Sequence, residues 1–290
     1  MTETTRHILL ATDLSARCDR ALDRAVWLAR DWNARLTILH VLEPERDMAE
    51  APRWQRPGDP QTLAAQALEA DLPPDAGPVT IIVDRGDAAE ITAGIARDQG
   101  CDLIVTGLAR NEALGRFRLG GTVERLARLS PAPVLVVRCR PRHDYNHVLV
   151  ATDLGEGSAQ VLRTSAALFP QADLTLFHAY RTPFAGLVAN EPRLRADYAQ
   201  AMTTDLDRFL RDTLPPQQQA RVRPLLVDGE PAQSLRDYAL AEGVDLAVIG
   251  APRHGPVLTF LLGSTAGSIL EAAPCDMLLT TATSVTTDGA

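Results

Sequence analysis

The feature that most constrains this chain is an internal repeat. Residues 7–15 read HILLATDLS and residues 147–155 read HVLVATDLG, so six of nine positions are identical. A second pair of segments, 85–110 and 228–253, runs from a turn glycine through a helical pattern to DLIVTG or DLAVIG. The offset is 140 residues for the first pair and 143 for the second, and self-similarity at such a nearly constant spacing is typical of a duplicated unit. We therefore predict two tandem domains, at residues 1–141 and 142–284.

Each copy alternates short apolar runs with segments of helical periodicity. In the first copy the apolar runs are HILLAT, RLTILHVL, PVTIIVD, DLIVTG and APVLVVR. Strands that alternate with helices predict a parallel sheet, because parallel neighbours need crossover connections. Continuous apolar runs also suit strands that helices cover on both faces. The predicted fold class is α/β, with two doubly wound domains that each contain five parallel strands.

The composition excludes several classes of protein. All 29 basic residues are arginine, and the sequence contains no lysine. P-loop NTPases, protein kinases and Schiff-base enzymes each need a lysine, so these classes are excluded. The net charge of −8 argues against a nucleic-acid partner. The chain has no apolar run of about 20 residues and no secretion signal at its start, so we expect a cytoplasmic protein without a membrane span.

The cysteines and histidines show no metal-binding pattern. The four cysteines form no CxxC pair, so we expect reduced, packed thiols. Two histidines, His40 and His178, stand near the end of the second strand in the two copies. We expect each to hydrogen-bond to the backbone rather than to act in acid–base catalysis. The sequence therefore predicts no metal site and no catalytic residues.

Polar residues and glycines follow the strands at one edge of each predicted sheet. Doubly wound sheets bind ligands beyond the carboxyl ends of the strands, where the strand order reverses. The first strand delivers Asp13 or Asp153 to this edge, and the fourth strand ends at Gly107 or Gly250. A helix then opens with LGGT or LGST, whose free N–H groups and hydroxyl suit a phosphate. The same letters also suit an ordinary helix N-cap, so both interpretations stay open.

These segments together resemble the universal stress protein family in its tandem two-domain form. The resemblance covers nearly the whole chain, and the closing APCDMLLT is similar to the family's APCPVLVV. It implies a Rossmann-like sheet with the strand order 3-2-1-4-5. Nucleotide-binding members of the family carry an aspartate at the end of the first strand and the motif G-x2-G-x9-G-[ST] after the fourth.

The resemblance implies a set of nucleotide contacts in the second copy. Asp153 would lie near the ribose or adenine, and the backbone of Ala179, just past the second strand, would bond the adenine edge. The residues implied to cradle the phosphates are Gly250, Gly263 and Ser264. The equivalent residues of the first copy are Asp13, Val41, Gly107, Gly120, Gly121 and Thr122.

Both copies depart from the family motif at its middle glycine. Arg110 and Arg253 stand there, and glycine's freedom to turn tightly around a phosphate is lost. Each arginine could contact a phosphate, fill the pocket or lie in solvent, and the sequence leaves these alternatives open. The first copy departs further, because Gly121 replaces the motif's Ser or Thr. We therefore expect the second copy to be the better nucleotide site.

The resemblance implies a stress-response or regulatory protein that binds an adenine nucleotide in one or both domains. ATP, alone or with magnesium, is the expected cofactor, and an unidentified regulatory protein is the expected partner. We expect no dedicated catalysis, while slow ATP hydrolysis stays open. The alternative is a nucleotide-independent scaffold, or a module for apolar small molecules with degenerate pockets. We also expect the last strands of the two copies to pair as a pseudo-dimer within the chain, with a homodimer as a further alternative.

Overall fold

Two compact units make up the protein in a computed structural model. The described residues are 5–16, 18–42, 58–107, 112–113, 116–117, 121–184, 191–252 and 264–282. The first unit falls within residues 1–111 and 119–142, and the second within 112–118 and 143–290. Two tandem α/β units confirm the predicted fold class. The predicted limits at residues 141 and 142 stay a prediction.

The first unit alternates strands and helices in the expected sequence. Its regular elements are β1 (His7–Thr12), α1 (Asp19–Asp31), β2 (Arg35–Leu42), α2 (Pro60–Asp71), β3 (Val79–Arg85), α3 (Ala88–Asp98), β4 (Leu103–Gly107), α4 (Gly121–Leu129) and β7 (Val134–Val137). Two short antiparallel strands, β5 (Glu112–Ala113) and β6 (Arg116–Phe117), fall between β4 and α4 in the sequence, within the segment 112–118 that is assigned to the second unit, and were not predicted. Parallel pairing gives the strand order β3-β2-β1-β4-β7.

The second unit repeats this arrangement with a longer second helix. Its elements are β8 (His147–Ala151), α5 (Glu156–Leu168), β9 (Asp173–Tyr180), α6 (Glu191–Thr213), α7 (Pro216–Gln219), β10 (Val222–Asp228), α8 (Pro231–Glu242), β11 (Leu246–Pro252), α9 (Ser264–Ala272) and β12 (Asp276–Ala282). Parallel pairing gives the order β10-β9-β8-β11-β12. The one-turn helix α7 was not predicted. Among the described helices, none is both long and apolar enough to cross a bilayer.

The central strands carry the core of each unit. Ile8, Leu9 and Leu10 of β1 are completely buried, and so is the run 148–150 of β8. Burial of consecutive residues means that both faces of the strand are covered, which explains why these runs do not alternate with polar residues. Three cysteines are buried as expected, but Cys139 is exposed, so the expectation of packed thiols is wrong for that residue.

A buried histidine anchors the beginning of β1. The ring of His7 contacts the Thr37 hydroxyl through Nε2 at 2.9 Å, and its backbone N–H donates to the Asp102 carboxylate at 2.8 Å. In the second unit His147 contacts Thr175 in the same way, at 2.9 Å. These contacts lie at the amino ends of the strands. They therefore fix the strand starts and leave the opposite edge for the site.

Lowering the pH should destabilise the first unit through His7. Burial lowers the pKa of the His7 imidazole below its ordinary value of 6.5. Because the unfolded chain then takes up a proton more readily than the folded one, the free energy of unfolding should fall as the pH drops below 6.5, by at most about 1.4 kcal/mol per pH unit. Urea unfolding at a series of pH values measures this slope. A His7→Gln variant should flatten it, and an unchanged slope in that variant would contradict the assignment.

Candidate functional site

The candidate site lies at the switch point of the second unit. The chain proceeds from β8 to β9 and β10 on one side and then returns to β11 and β12 on the other, so the strand order reverses between β8 and β11. Helices α5 and α6 pack together, and so do α8 and α9. At this reversal the crossovers diverge and leave a crevice at the carboxyl ends of the strands.

A cavity of about 440 Å³ occupies this crevice. The loop after β8, the last residues of β9, the strand β11 and the first turns of α5, α8 and α9 line it. Three residues singled out in the sequence, Asp153, Ala179 and Gly250, are among the lining residues. They come from three segments up to about a hundred residues apart, and the parallel sheet brings their strand ends to one edge.

The Asp153 carboxylate is held by the turn that follows β8. Its Oδ1 accepts the Gly155 N–H at 2.8 Å and the Ser158 hydroxyl at 2.6 Å. Burial raises the pKa of Asp153, but the bonds from Ser158 and Gly155 outweigh it, and the net pKa lies below the ordinary value. The group is therefore a fixed negative charge at neutral pH, with one oxygen engaged by the protein.

The sequence ATDL occurs in both units and forms the same turn after the first strand of each. Leu154 has φ of 65° and Leu14 has φ of 58°, a left-handed conformation that leucine rarely adopts. In each unit the hydroxyl of the preceding threonine, Thr152 or Thr12, accepts the leucine N–H, at 2.9 Å and 3.1 Å. These local bonds turn the chain sharply after the strand. The duplicated sequence therefore specifies how the aspartate is presented at the edge of the sheet.

The two strand histidines bond to the backbone, as predicted. Nδ1 of His178 donates to the Thr152 carbonyl at 2.8 Å, and Nδ1 of His40 donates to the Thr12 carbonyl at 2.9 Å. Each bond joins the second strand to the first at the carboxyl edge. His178 also lines the cavity, a position that the sequence did not indicate.

Two expected strand ends need correction. Ala179 lies inside β9, which extends to Tyr180, and not just past the strand. Gly250 likewise does not end its strand, because β11 continues to Pro252. Both ends were predicted too early, because backbone pairing with the neighbouring strand continues to the ends of β9 and β11. Both residues nevertheless line the cavity, together with the apolar side chains of Phe177 and Ile269.

The start of α9 provides the opposite wall. The helix begins at Ser264, as the sequence indicated, and Thr265 and Ala266 line the cavity. The unpaired N–H groups and positive dipole end of a helix start favour an anion. Arg253 and Gly263, which the sequence also assigned to this site, lie outside the described residues.

In the first unit the corresponding residues occupy equivalent elements. Asp13 directly follows β1, Val41 lies in β2, Gly107 ends β4, and Gly121 and Thr122 begin α4. Arg110 and Gly120 lie outside the described residues. The pairing of Thr12 with His40 and of Ala11 with Thr106 brings the ends of β1, β2 and β4 to one edge.

The first unit differs from the second beside its aspartate. Cys18 stands where the second unit has Ser158, and its thiol donates to Oδ1 of Asp13 at 3.1 Å. Burial raises the pKa of the Cys18 thiol, so it stays a neutral donor. A thiol is a weaker donor than a hydroxyl, and the two aspartates are therefore held differently. Sequence inspection missed Ser158, because the first copy has a cysteine at this place and the repeat therefore gave no signal.

Comparison with known proteins identifies the repeated unit. The model of the universal stress protein family matches residues 4–138 and again residues 144–281. The chain belongs to the universal stress protein family. Similar members of the family include one from Staphylococcus epidermidis, 30% identical over 139 residues, which covers 46% of this chain and 84% of the relative. Another, from Thermus aquaticus, is 30% identical over 133 residues and covers 45% of this chain and 97% of the relative.

Solved structures of universal stress proteins share the fold along nearly the full chain. One from Archaeoglobus fulgidus gives a TM-score of 0.66 at 17% identity and covers 97% of this chain and all of its own. One from Pseudomonas aeruginosa gives a TM-score of 0.64 at 20% identity and covers 96% of this chain and 94% of its own. At this level of identity the likeness shows the fold alone.

Proposed function

We propose that this universal stress protein is a non-catalytic regulator that binds an adenine nucleotide, with ATP as the expected ligand, in the second unit. The single observation that carries the proposal is the cavity at the switch point, lined by Asp153, Ala179 and Gly250. Its volume of about 440 Å³ falls within the range of known small-molecule pockets. The proposed compartment is the cytoplasm, and the proposed partner is a protein that responds to the bound state.

The cavity walls match the parts of an adenine nucleotide. Phe177, Ile249 and Ile269 offer an apolar surface for a flat base, while β9 offers backbone groups at Ala179 for its polar edge. Asp153 supplies an acceptor for a sugar or amino group. This combination of apolar walls and a few fixed polar groups is the usual composition of a ligand site.

The phosphates are proposed to lie at the start of α9. Ser264 begins the helix, and the proposed phosphate contacts also include Gly250, Gly263 and Arg253. Free N–H groups at a helix start bind anions without a lysine, which this chain does not contain. A magnesium ion, if it accompanies ATP, would there neutralise phosphate charge. The first unit is proposed as a second and weaker site, through its equivalent residues.

Thermal unfolding of the full chain with and without ATP tests the proposal. At a concentration of 100 times Kd, ATP should stabilise the folded protein by about 2.7 kcal/mol and raise its melting temperature by several degrees. Native mass spectrometry of the same sample should detect one or two nucleotides per chain. Titrations with EDTA and with added magnesium separate the contribution of the metal. Absence of both the shift and the bound mass would overturn the proposal.

The alternative function, a module for apolar small molecules, is favoured by the same apolar wall. A cavity lined by Phe177, Pro231, Ile249 and Ile269 could hold a ligand without phosphates. Such a ligand should bind with little dependence on salt, whereas nucleotide binding should weaken as salt screens the phosphate contacts. A fluorescent apolar probe that ATP does not displace would support the alternative.

A further inference from the structure

We propose that the hairpin formed by β5 and β6, which the first copy supplies, positions helix α9 so that its start can bind the phosphates of a nucleotide in the second unit. The inference rests on the proposed function and adds a positioning element to its site. The hairpin acts only through α9 and takes no part in chemistry.

The hairpin belongs to one copy by sequence and to the other by its contacts. It lies between β4 and α4 of the first copy, inside the segment that carries the first copy's version of the glycine motif. Residues 112–118 nevertheless group with the second unit, whereas the residues on either side, up to 111 and from 119, group with the first. The second unit therefore includes a piece of the first copy.

Backbone pairing gives the hairpin a defined shape. Glu112 pairs with Phe117, and Ala113 pairs with Arg116, in an antiparallel ladder. A two-stranded hairpin this short is marginal by itself and needs to pack against another element. Strand β6 packs against α9, and both elements belong to the second unit.

Helix α9 depends on few neighbours for its placement. In the described part of the chain its main packing partners are α8, β6 and β11. Thr265, Ala266 and Ile269 of α9 line the cavity, so the placement of the helix sets the shape of one wall. Because α9 has only 9 residues, the loss of one of its main partners should shift or loosen it.

Phosphate binding is the property most sensitive to this placement. The N–H groups at a helix start bind an anion through directional hydrogen bonds, which weaken steeply when the donor angle departs from linearity. Contact between a flat base and apolar walls is non-directional and tolerates a small displacement. A displaced α9 should therefore weaken the binding of ATP more than the binding of adenosine.

The test uses Ala113→Pro in the full chain. Proline has no N–H to donate to the ladder and its ring fixes φ, so this change should open the pairing of β5 with β6. The ratio of ATP affinity to adenosine affinity, measured by calorimetric titration, should fall about tenfold, the effect of one lost hydrogen bond to a charged group. Hydrogen exchange should become faster at the backbone amides of residues 264–272, which locates the effect in α9.

The matched control is Ala113→Val, which adds similar bulk at the same residue, keeps the N–H and favours a strand. It should retain the wild-type affinities for both ligands within about twofold and leave hydrogen exchange in α9 unchanged. Far-UV circular dichroism reports whether Ala113→Pro folds. If it does not, a variant in which residues 112–117 are replaced by glycine and serine at constant length takes its place.

The outcomes separate this inference from the proposed function. A wild-type ratio of ATP to adenosine affinity in the hairpin variant, or unchanged hydrogen exchange in α9, would overturn the inference alone. So would an equal loss of affinity for both ligands, or a loss that Ala113→Val shares. Absence of ATP binding in the wild-type protein would overturn the proposed function and this inference with it.

Discussion

Replacing Ala266 by phenylalanine should abolish nucleotide binding by the second unit. Ala266 is half-buried in the first turns of α9 and lines the cavity, so a benzyl group there would occupy the proposed space for base and sugar. We expect Kd for ATP to rise at least about a hundredfold, equivalent to roughly 2.7 kcal/mol of lost binding energy. Calorimetric titration measures this directly, and the ATP-dependent rise in melting temperature should shrink to the part that the weaker first-unit site supplies.

The control for this variant is Ser268→Phe. Ser268 is an exposed residue of the same helix and does not line the cavity. Ser268→Phe adds the same aromatic side chain outside the cavity. This variant should retain the ATP affinity of the wild-type protein within about twofold. If Ala266→Phe binds ATP as well as Ser268→Phe does, the nucleotide lies elsewhere. A first-unit site would then be the remaining candidate within this fold.

Replacing Leu149 by alanine should strongly lower the free energy of unfolding of the second unit. Leu149 is completely buried in β8, the strand that carries the Thr152–Asp153 turn. Truncation removes apolar contacts and leaves a cavity, which together lower the free energy of unfolding by about 2–5 kcal/mol. Urea unfolding followed by far-UV circular dichroism measures the loss.

Two further variants make the Leu149 result specific. Leu240→Ala changes the same side chain at a site in α8 that is 60% exposed, and it should cost less than about 0.5 kcal/mol. Leu9→Ala removes the equivalent buried leucine of β1 and should cost about as much as Leu149→Ala. A Leu149→Ala protein as stable as Leu240→Ala would contradict the assignment of β8 to a covered central strand.

Much of the fold was predictable because its signals are local. The apolar runs predicted the main strands, and turn glycines predicted helix ends, as at Gly243, which adopts φ of 63° after α8. The predicted strand ends, before Ala179 and at Gly250, were too early, because backbone pairing with β10 and β12 extends both strands. The short elements β5, β6 and α7 carry too few residues for a periodic pattern to reveal them.

The candidate site was only partly predictable from sequence. Asp153 could be predicted because the first copy has an aspartate at the equivalent place, and Gly250 because it follows an apolar run. Ser158 and Ala266 carry no such signal, since a small residue in a helix looks the same whether it faces a cavity or solvent. His178 was correctly expected to bond the backbone, but the free face of its ring became visible only when β8 and β9 were paired.

The sequence by itself determined the duplication, the α/β class and the edge of the sheet that carries the site. It could do so because strand, turn and cap preferences depend on neighbouring residues, and both copies repeat them. Only the tertiary structure decided which atoms face one another in the crevice: the engaged Oδ1 of Asp153, the Nδ1–H bond of His178 and the residues that line the cavity. These contacts join segments far apart in the chain. Their geometry depends on strand register and helix packing, which no local pattern encodes.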